Sequence, residues 1–325
     1  MRVFSARSFR SFKKIRTASA LVLVVIAVSS CQSMFRKGAP LGGFDHSIKK
    51  GSGNGNETLG QPKKKVLVLK FYNDTPVPQE NSGEVAAEEL RNLLATSEQV
   101  LVIPDTAVSL KTEDFIQGDK IKVAQLIQEG RKQGVSLVLL GRIAKMAIRQ
   151  KGEAVGLLRK RYSYATSDLE VKLFDVQAGR EVLASFKSGE AVDSGLIVFQ
   201  GNGIDDPAFR ADLTEQSIRQ AVIGFVPEIL KTVDKAVWQG RIAKVSGQKI
   251  FINSGRASGL LHGDILRVLS SGEDIYDPTT GAYLGRSQGQ LKGTLEIIDF
   301  FGFDGGLAQI HTGGGFEEGD LVQLY

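Results

Sequence analysis

Cysteine is nearly absent from this 325-residue chain: Cys31 stands alone, so no disulfide can form within it and no second thiol can share a metal ion. Histidine is scarce as well. His46, His262 and His311 are separated along the chain and have no paired carboxylate at ligand spacing, so neither a metal nor any other cofactor is expected. Gly201-Asn202-Gly203 and Gly313-Gly314-Gly315 lack the strand-to-helix setting and the lysine of a phosphate loop and are read as turns. Asp264 and Asp320 are read as turn caps, since calcium gathers more oxygen ligands than either place offers. No motif supplies a nucleophile, and the chain is read as non-enzymatic. Charge of one sign is missing too. The formal charge of +5 comes from Arg2, Arg7, Arg10, Lys13, Lys14 and Arg16; beyond them 35 basic residues face 36 acidic ones, which removes any global case for a nucleic-acid partner.

What the first thirty residues do contain is a basic region followed by Ala18 to Val28, an apolar run of roughly 11 residues, short of the ~20 that span a bilayer. Val28-Ser29-Ser30-Cys31 then resembles the bacterial lipobox, in which small residues precede a cysteine whose thiol receives a diacylglycerol. The resemblance implies a lipoprotein signal peptide over 1–30 and lipidation at Cys31, so that the membrane is held through acyl chains at ~0.8 kcal/mol per buried methylene. Gln32, where a retention signal would place Asp, implies the periplasmic face of an outer membrane. Residues 31–62 are rich in Gly, Ser, Asn and Lys and form the lipidated N-terminus and a flexible tether, with a reach on the order of 30 Å. Lys63-Lys64-Lys65 is read as a solvated strand entrance.

Strand and helix then alternate. Val66 to Phe71 reads as a buried strand, and Ser82 as the N-cap of a helix from Gly83 to Thr96. Val100 to Ile103 is a strand, Lys122 to Gly134 an amphipathic helix, and Val135 to Ile143 a third strand. Arg161 to Phe174 and Glu181 to Lys187 make a β-hairpin about Asp175 to Arg180. A long helix from about Asp212 to Trp238 follows, which Pro227 is expected to kink or split.

The lipobox, the strand ending near Asn73, the LVLLGRI strand, the LEVKLFDVQAGREV hairpin and the closing helix resemble the curli-secretion channel lipoproteins and their periplasmic relatives. The resemblance implies an anticodon-binding-domain-like α/β sandwich over 63–238, self-association, and in the channel members a pore with two long hairpins. Ala144 to Ala165, with its six cationic residues, and Ser188 to Asp212, broken by Gly195, Gly201, Gly203 and Pro207, are not expected to form such hairpins.

After Trp238 the pattern is wholly β: Gly240 to Val245, Lys249 to Ile252, Ile265 to Leu269, Gln290 to Ile298 and Leu307 to Ile310 are short strands between turns. Gly263-Asp264 and Gly319-Asp320 each turn the chain into a strand. With Asp277-Pro278-Thr279-Thr280-Gly281, this spacing resembles the C-terminal domain of flagellar assembly protein T and implies an SH3-like barrel over 239–325. The fold class expected is therefore α+β, an α/β sandwich followed by a small all-β barrel. The function expected is an envelope scaffold or assembly factor of a flagellar ring or secretion machine, bound to the membrane by its lipid, self-associating and docking on envelope proteins. An oligomeric secretion pore and an activator of a peptidoglycan synthase are the alternatives.

Overall fold

A computed structural model describes residues 61–76, 81–103, 111–118, 120–155, 158–196 and 206–325, which fall in the unit Glu57–Tyr325. The expected signal peptide, Cys31, His46, Gly201 to Gly203 and nearly all of the tether lie outside the described residues.

Strand β1 (Lys64–Val68) is buried at all five positions because both of its faces are covered, as in parallel sheets. It pairs in parallel with β3 (Val100–Ile103) on one side and β6 (Leu137–Val155) on the other. Val66 and Val68 pack with Leu90 of α1 (Ser82–Ala95) and with Val222, Phe225 and Ile229 of α3 (Pro207–Lys235). Leu67 and Leu69 pack on the opposite face with Phe115 and with Leu126 and Ile127 of α2 (Val123–Lys132). The short β2 (Tyr72–Asn73) also pairs with β6, and β4 (Ile116–Gln117) with β5 (Lys120–Ile121). The sheet continues antiparallel through β7 (Leu158–Asp175) to β8 (Arg180–Leu196), in the order β3-β1-β6-β7-β8.

Several expectations are corrected here. Asn81, at φ 74°, is the N-cap of α1, and Ser82 lies inside the helix with its hydroxyl accepting from the Asn73 amide at 3.3 Å. The helix starts where Gly83 approaches the Phe71 backbone so closely that a Cβ there would fall 2.1 Å from the Phe71 oxygen. α3 runs unbroken through Pro227, because both Pro227 and Ile223, whose carbonyl loses its partner, lie on the exposed face, where water replaces the bond. Ala144 to Ala165 is strand on both sides of residues 156–157, and Ser188 to Leu196 continues β8. The cations of β6 do not break it: Lys145, Arg149 and Lys151 alternate on one exposed face of a paired strand. Lys64 and Lys65 are buried, so the lysine run is not a solvated strand entrance.

Six strands close the barrel in the order β10-β15-β14-β11-β16-β9: β9 (Gly240–Ser246), β10 (Lys249–Ile252), β11 (Ile265–Leu269), β14 (Leu291–Phe301), β15 (Gly305–Gly313) and β16 (Leu321–Leu324). Trp238, Ile252, Leu266, Val268, Leu295, Ile297 and Val322 fill it. The Gly-Asp corners perform as read, and they do so twice over. Asp264 accepts from the Leu261 N–H at 2.7 Å and Asp320 from the Glu317 N–H at 2.8 Å, with Gly263 and Gly319 at φ 84° and 92°. Gly263 then bonds Ile297 on β14, and Gly319 bonds Ile242 on β9, in the same reciprocal pattern. A separate hairpin of β12 (Asp274–Tyr276) and β13 (Tyr283–Arg286) was not legible as strand. No helix among the described residues is long and apolar enough to cross a membrane.

Candidate functional sites on the sheet and at its junction with the barrel

Strands β6, β7 and β8 have 19, 18 and 17 residues, each roughly 60 Å long at ~3.3 Å per residue. From Ser163 to Leu173 alternate residues of β7 are buried, those from Ala165 onward against α3. Small residues bring the helix close. The hydroxyls of Ser167 and Ser217 bond at 2.6 Å, and a Cβ on Gly189 would meet the Ser217 oxygen at 1.9 Å. This packing reaches Phe209 and Ile148, whereas β6 and β7 stay paired as far as Val155 and Leu158. β8 is the last strand of the sheet, and among the described residues no strand pairs with its outer edge. Its solvent side carries Phe186 and Val192, each more than half exposed.

The sheet is joined to the barrel by polar contacts of high sequence separation. Lys65, on β1, forms an ion pair of 2.9 Å with Asp304 and donates to the Asn253 carbonyl, with both charged side chains buried. Asp304 also accepts from the Gly255 and Ser258 N–H groups at 2.9 and 2.7 Å and from the Ser258 hydroxyl. Arg131, at the end of α2, pairs with Asp274 at 2.7 Å and donates to Tyr283 at 3.0 Å on the β12–β13 hairpin. Burial works against the Arg131 charge, but Asp274 and Tyr283 together hold its pKa above the ordinary value, and Arg131 in turn holds that of Asp274 down.

Beside this junction lies an open cavity of about 680 Å³, walled by the β7–β8 turn, the α3–β9 link and the barrel strands β11 and β16. Arg241 and Arg286 are half-buried in it, and Arg267 and Lys235 are exposed at its rim. Burial, followed by repulsion from Arg286 and Arg131, lowers the Arg241 pKa to about 10; burial and Arg131 lower that of Arg286 as well. The guanidinium groups are oriented by neutral acceptors: Arg241 by the Arg131 carbonyl at 3.0 Å, Arg286 by the Gly272 carbonyl at 2.6 Å and Arg267 by the Gln323 amide oxygen at 3.1 Å. A second cavity of about 360 Å³ is lined in part by Asp74, Arg142 and Glu170, and there the arginine pairs with both carboxylates.

Among the described residues, the two histidines have separate surroundings: His311 bonds Thr294 at 3.1 Å, and His262 packs its ring on Phe300. Among the described residues no group of three potential ligands is placed to hold a metal. The arginine cluster escaped sequence reading because Arg131, Arg241, Arg267 and Arg286 come from four different elements with no shared motif.

The chain is thus a mixed α/β protein whose sheet outreaches its helices and is docked on a closed six-stranded barrel. No protein-family model and no curated protein matches it. Among solved structures, a hypothetical protein of Chlamydia trachomatis is 15% identical with a TM-score of 0.35, over 53% of this chain and 98% of its own. The lipoprotein GNA1162 of Neisseria meningitidis is 15% identical with a TM-score of 0.27, over 53% of this chain and 99% of its own. The LpoB C-terminal domain of Escherichia coli is 18% identical with a TM-score of 0.27, over 39% of this chain and 83% of its own. At such scores these likenesses carry no argument about what the chain does.

Proposed function

We propose that this chain is a non-enzymatic envelope lipoprotein, anchored through Cys31 to the periplasmic face of an outer membrane, that works as a scaffold or assembly factor. The observation that carries the assembly part is the open edge of β8. Along the seventeen residues of this edge strand alternate residues direct their backbone groups away from β7, where no strand pairs with them among the described residues, and such an edge is a template for another strand. A second copy of the chain is the occupant this reading assigns to it. Strands of this length also suffice for the secretion-pore alternative, which needs ~9–11 residues per crossing. Lys145, Arg149 and Lys151 on the exposed face of β6 weigh against it, since each would cost about 2–4 kcal/mol at a bilayer midplane.

The test is the native mass and membrane extraction of the full-length protein in mild detergent. Wild type is expected in the membrane fraction as an oligomer, and Cys31→Ser in the soluble fraction. Val192→Pro and Asp193→Pro, tested separately, complete the experiment. Adjacent residues direct their N–H groups to opposite edges, so one of the two leaves the β7–β8 ladder intact while blocking the open edge. That variant is expected to be a folded monomer. A wild type that is monomeric overturns the scaffold reading, a soluble one overturns the anchor, and leakage of dye from liposomes favours the pore.

A further inference from the structure

We propose that the cavity between the sheet and the barrel binds a small phosphate-bearing anion. Four cationic side chains, Lys235, Arg241, Arg267 and Arg286, line it against one carboxylate, that of Asp175. Asp175 is occupied as a turn cap, accepting from the Gln177 and Ala178 N–H groups at 2.8 Å each. Asp274 reaches Arg286 only at longer range and is already bonded to Arg131. Among the described residues none of Lys235, Arg241, Arg267 and Arg286 has a carboxylate within ion-pair distance.

Partly desolvated like charges without counter-charges, as Arg241 and Arg286 are, destabilise a fold, whereas Arg142 is balanced by Asp74 and Glu170. The junction leaves this excess in place. It also fixes each guanidinium through a single neutral acceptor, which leaves other N–H donors of the fork free to bind two oxygens of one phosphate group. The volume of about 680 Å³ lies within the range of small-molecule sites and leaves room beyond the anionic group itself.

Isothermal titration of the full chain in non-ionic detergent at low salt tests this, with inorganic phosphate, glycerol 3-phosphate and a short-chain phosphatidylglycerol as probes and chloride as the control. Saturable one-to-one binding of a phosphate-bearing probe, absent with chloride, is expected. Arg241→Gln and Arg286→Gln are each expected to weaken it at least about tenfold, the size of a lost charge-assisted bond. Arg142→Gln, in the balanced cavity, is expected to leave it within about twofold. Tight binding of glycerol 3-phosphate marks a soluble ligand, and binding of the phospholipid alone marks a lipid headgroup. Should Arg241→Gln fail to fold, Arg286→Gln decides. The proposal is overturned if no probe binds saturably, or if both arginine variants bind as wild type does.

Discussion

Replacing Asp304 by Ala separates the sheet from the barrel at one point, and the cost can be worked out from its partners. The substitution strips Lys65 of its 2.9 Å ion pair while leaving the ammonium buried, and it orphans the Gly255 and Ser258 N–H groups and the Ser258 hydroxyl. Removing one member of a buried pair costs roughly 3–5 kcal/mol, most of it from the uncompensated charge that remains. At roughly 2–4 °C per kcal/mol for a chain of this size, the midpoint of thermal unfolding should fall by about 6–20 °C. The assay is circular dichroism during heating, with urea titration for the free energy. Adding Lys65→Met to Asp304→Ala removes the stranded charge, so the double variant should regain roughly 1–3 kcal/mol relative to the sum of the single changes. A loss below ~1 kcal/mol for Asp304→Ala, or singles that simply add, would refute the view that this buried pair couples the two layers.

Further outcomes follow from the same geometry. Gly189→Val should force α3 away from β8, because even the first added carbon would meet the Ser217 oxygen at 1.9 Å and the Ala221 nitrogen at 2.5 Å; a loss of about 1–3 kcal/mol in urea titration is expected. Phe225→Ala, which empties the core between α3 and β1, should cost roughly 3–5 kcal/mol by the same measurement. Asp274 has its pKa held below the usual carboxylate value by Arg131, so its contribution to stability is complete above its unfolded value near 3.8 and is lost as pH falls through the depressed folded value. Acid titration of the thermal midpoint should therefore show a fall below about pH 4 that Asp274→Asn reduces.

The resemblances and patterns legible in the chain were strongest where a residue type has one physical reason to be where it is. Asp175 and Asp277 are each followed four residues later by a glycine, and both carboxylates cap their own turns, at φ 68° for Gly179 and for Gly281. By contrast, the extent of strand through the cationic stretch after Ala144 was not read, because its charge was weighed only against a lipid-facing hairpin. In a paired strand, charge on the exposed face is evidence only about which face is exposed. Lys65 was misread for the converse reason: a lysine is buried when a carboxylate waits for it, and Asp304 lies 239 residues further along the chain, while the buried Lys64 donates to the Gln61 amide oxygen at 3.3 Å.

By itself the sequence determined the alternation of elements before residue 238, the all-β character after it, and the Gly-Asp corners of the barrel, because periodicity, caps and left-handed turns are properties of neighbouring residues. Only the tertiary structure decided how far β6, β7 and β8 extend, which edge is left open, and that arginines from a helix end, two barrel strands and a separate hairpin converge at one junction. Those outcomes depend on pairing and burial between distant segments, where a side chain's surroundings are set by elements that its own neighbours in sequence do not name.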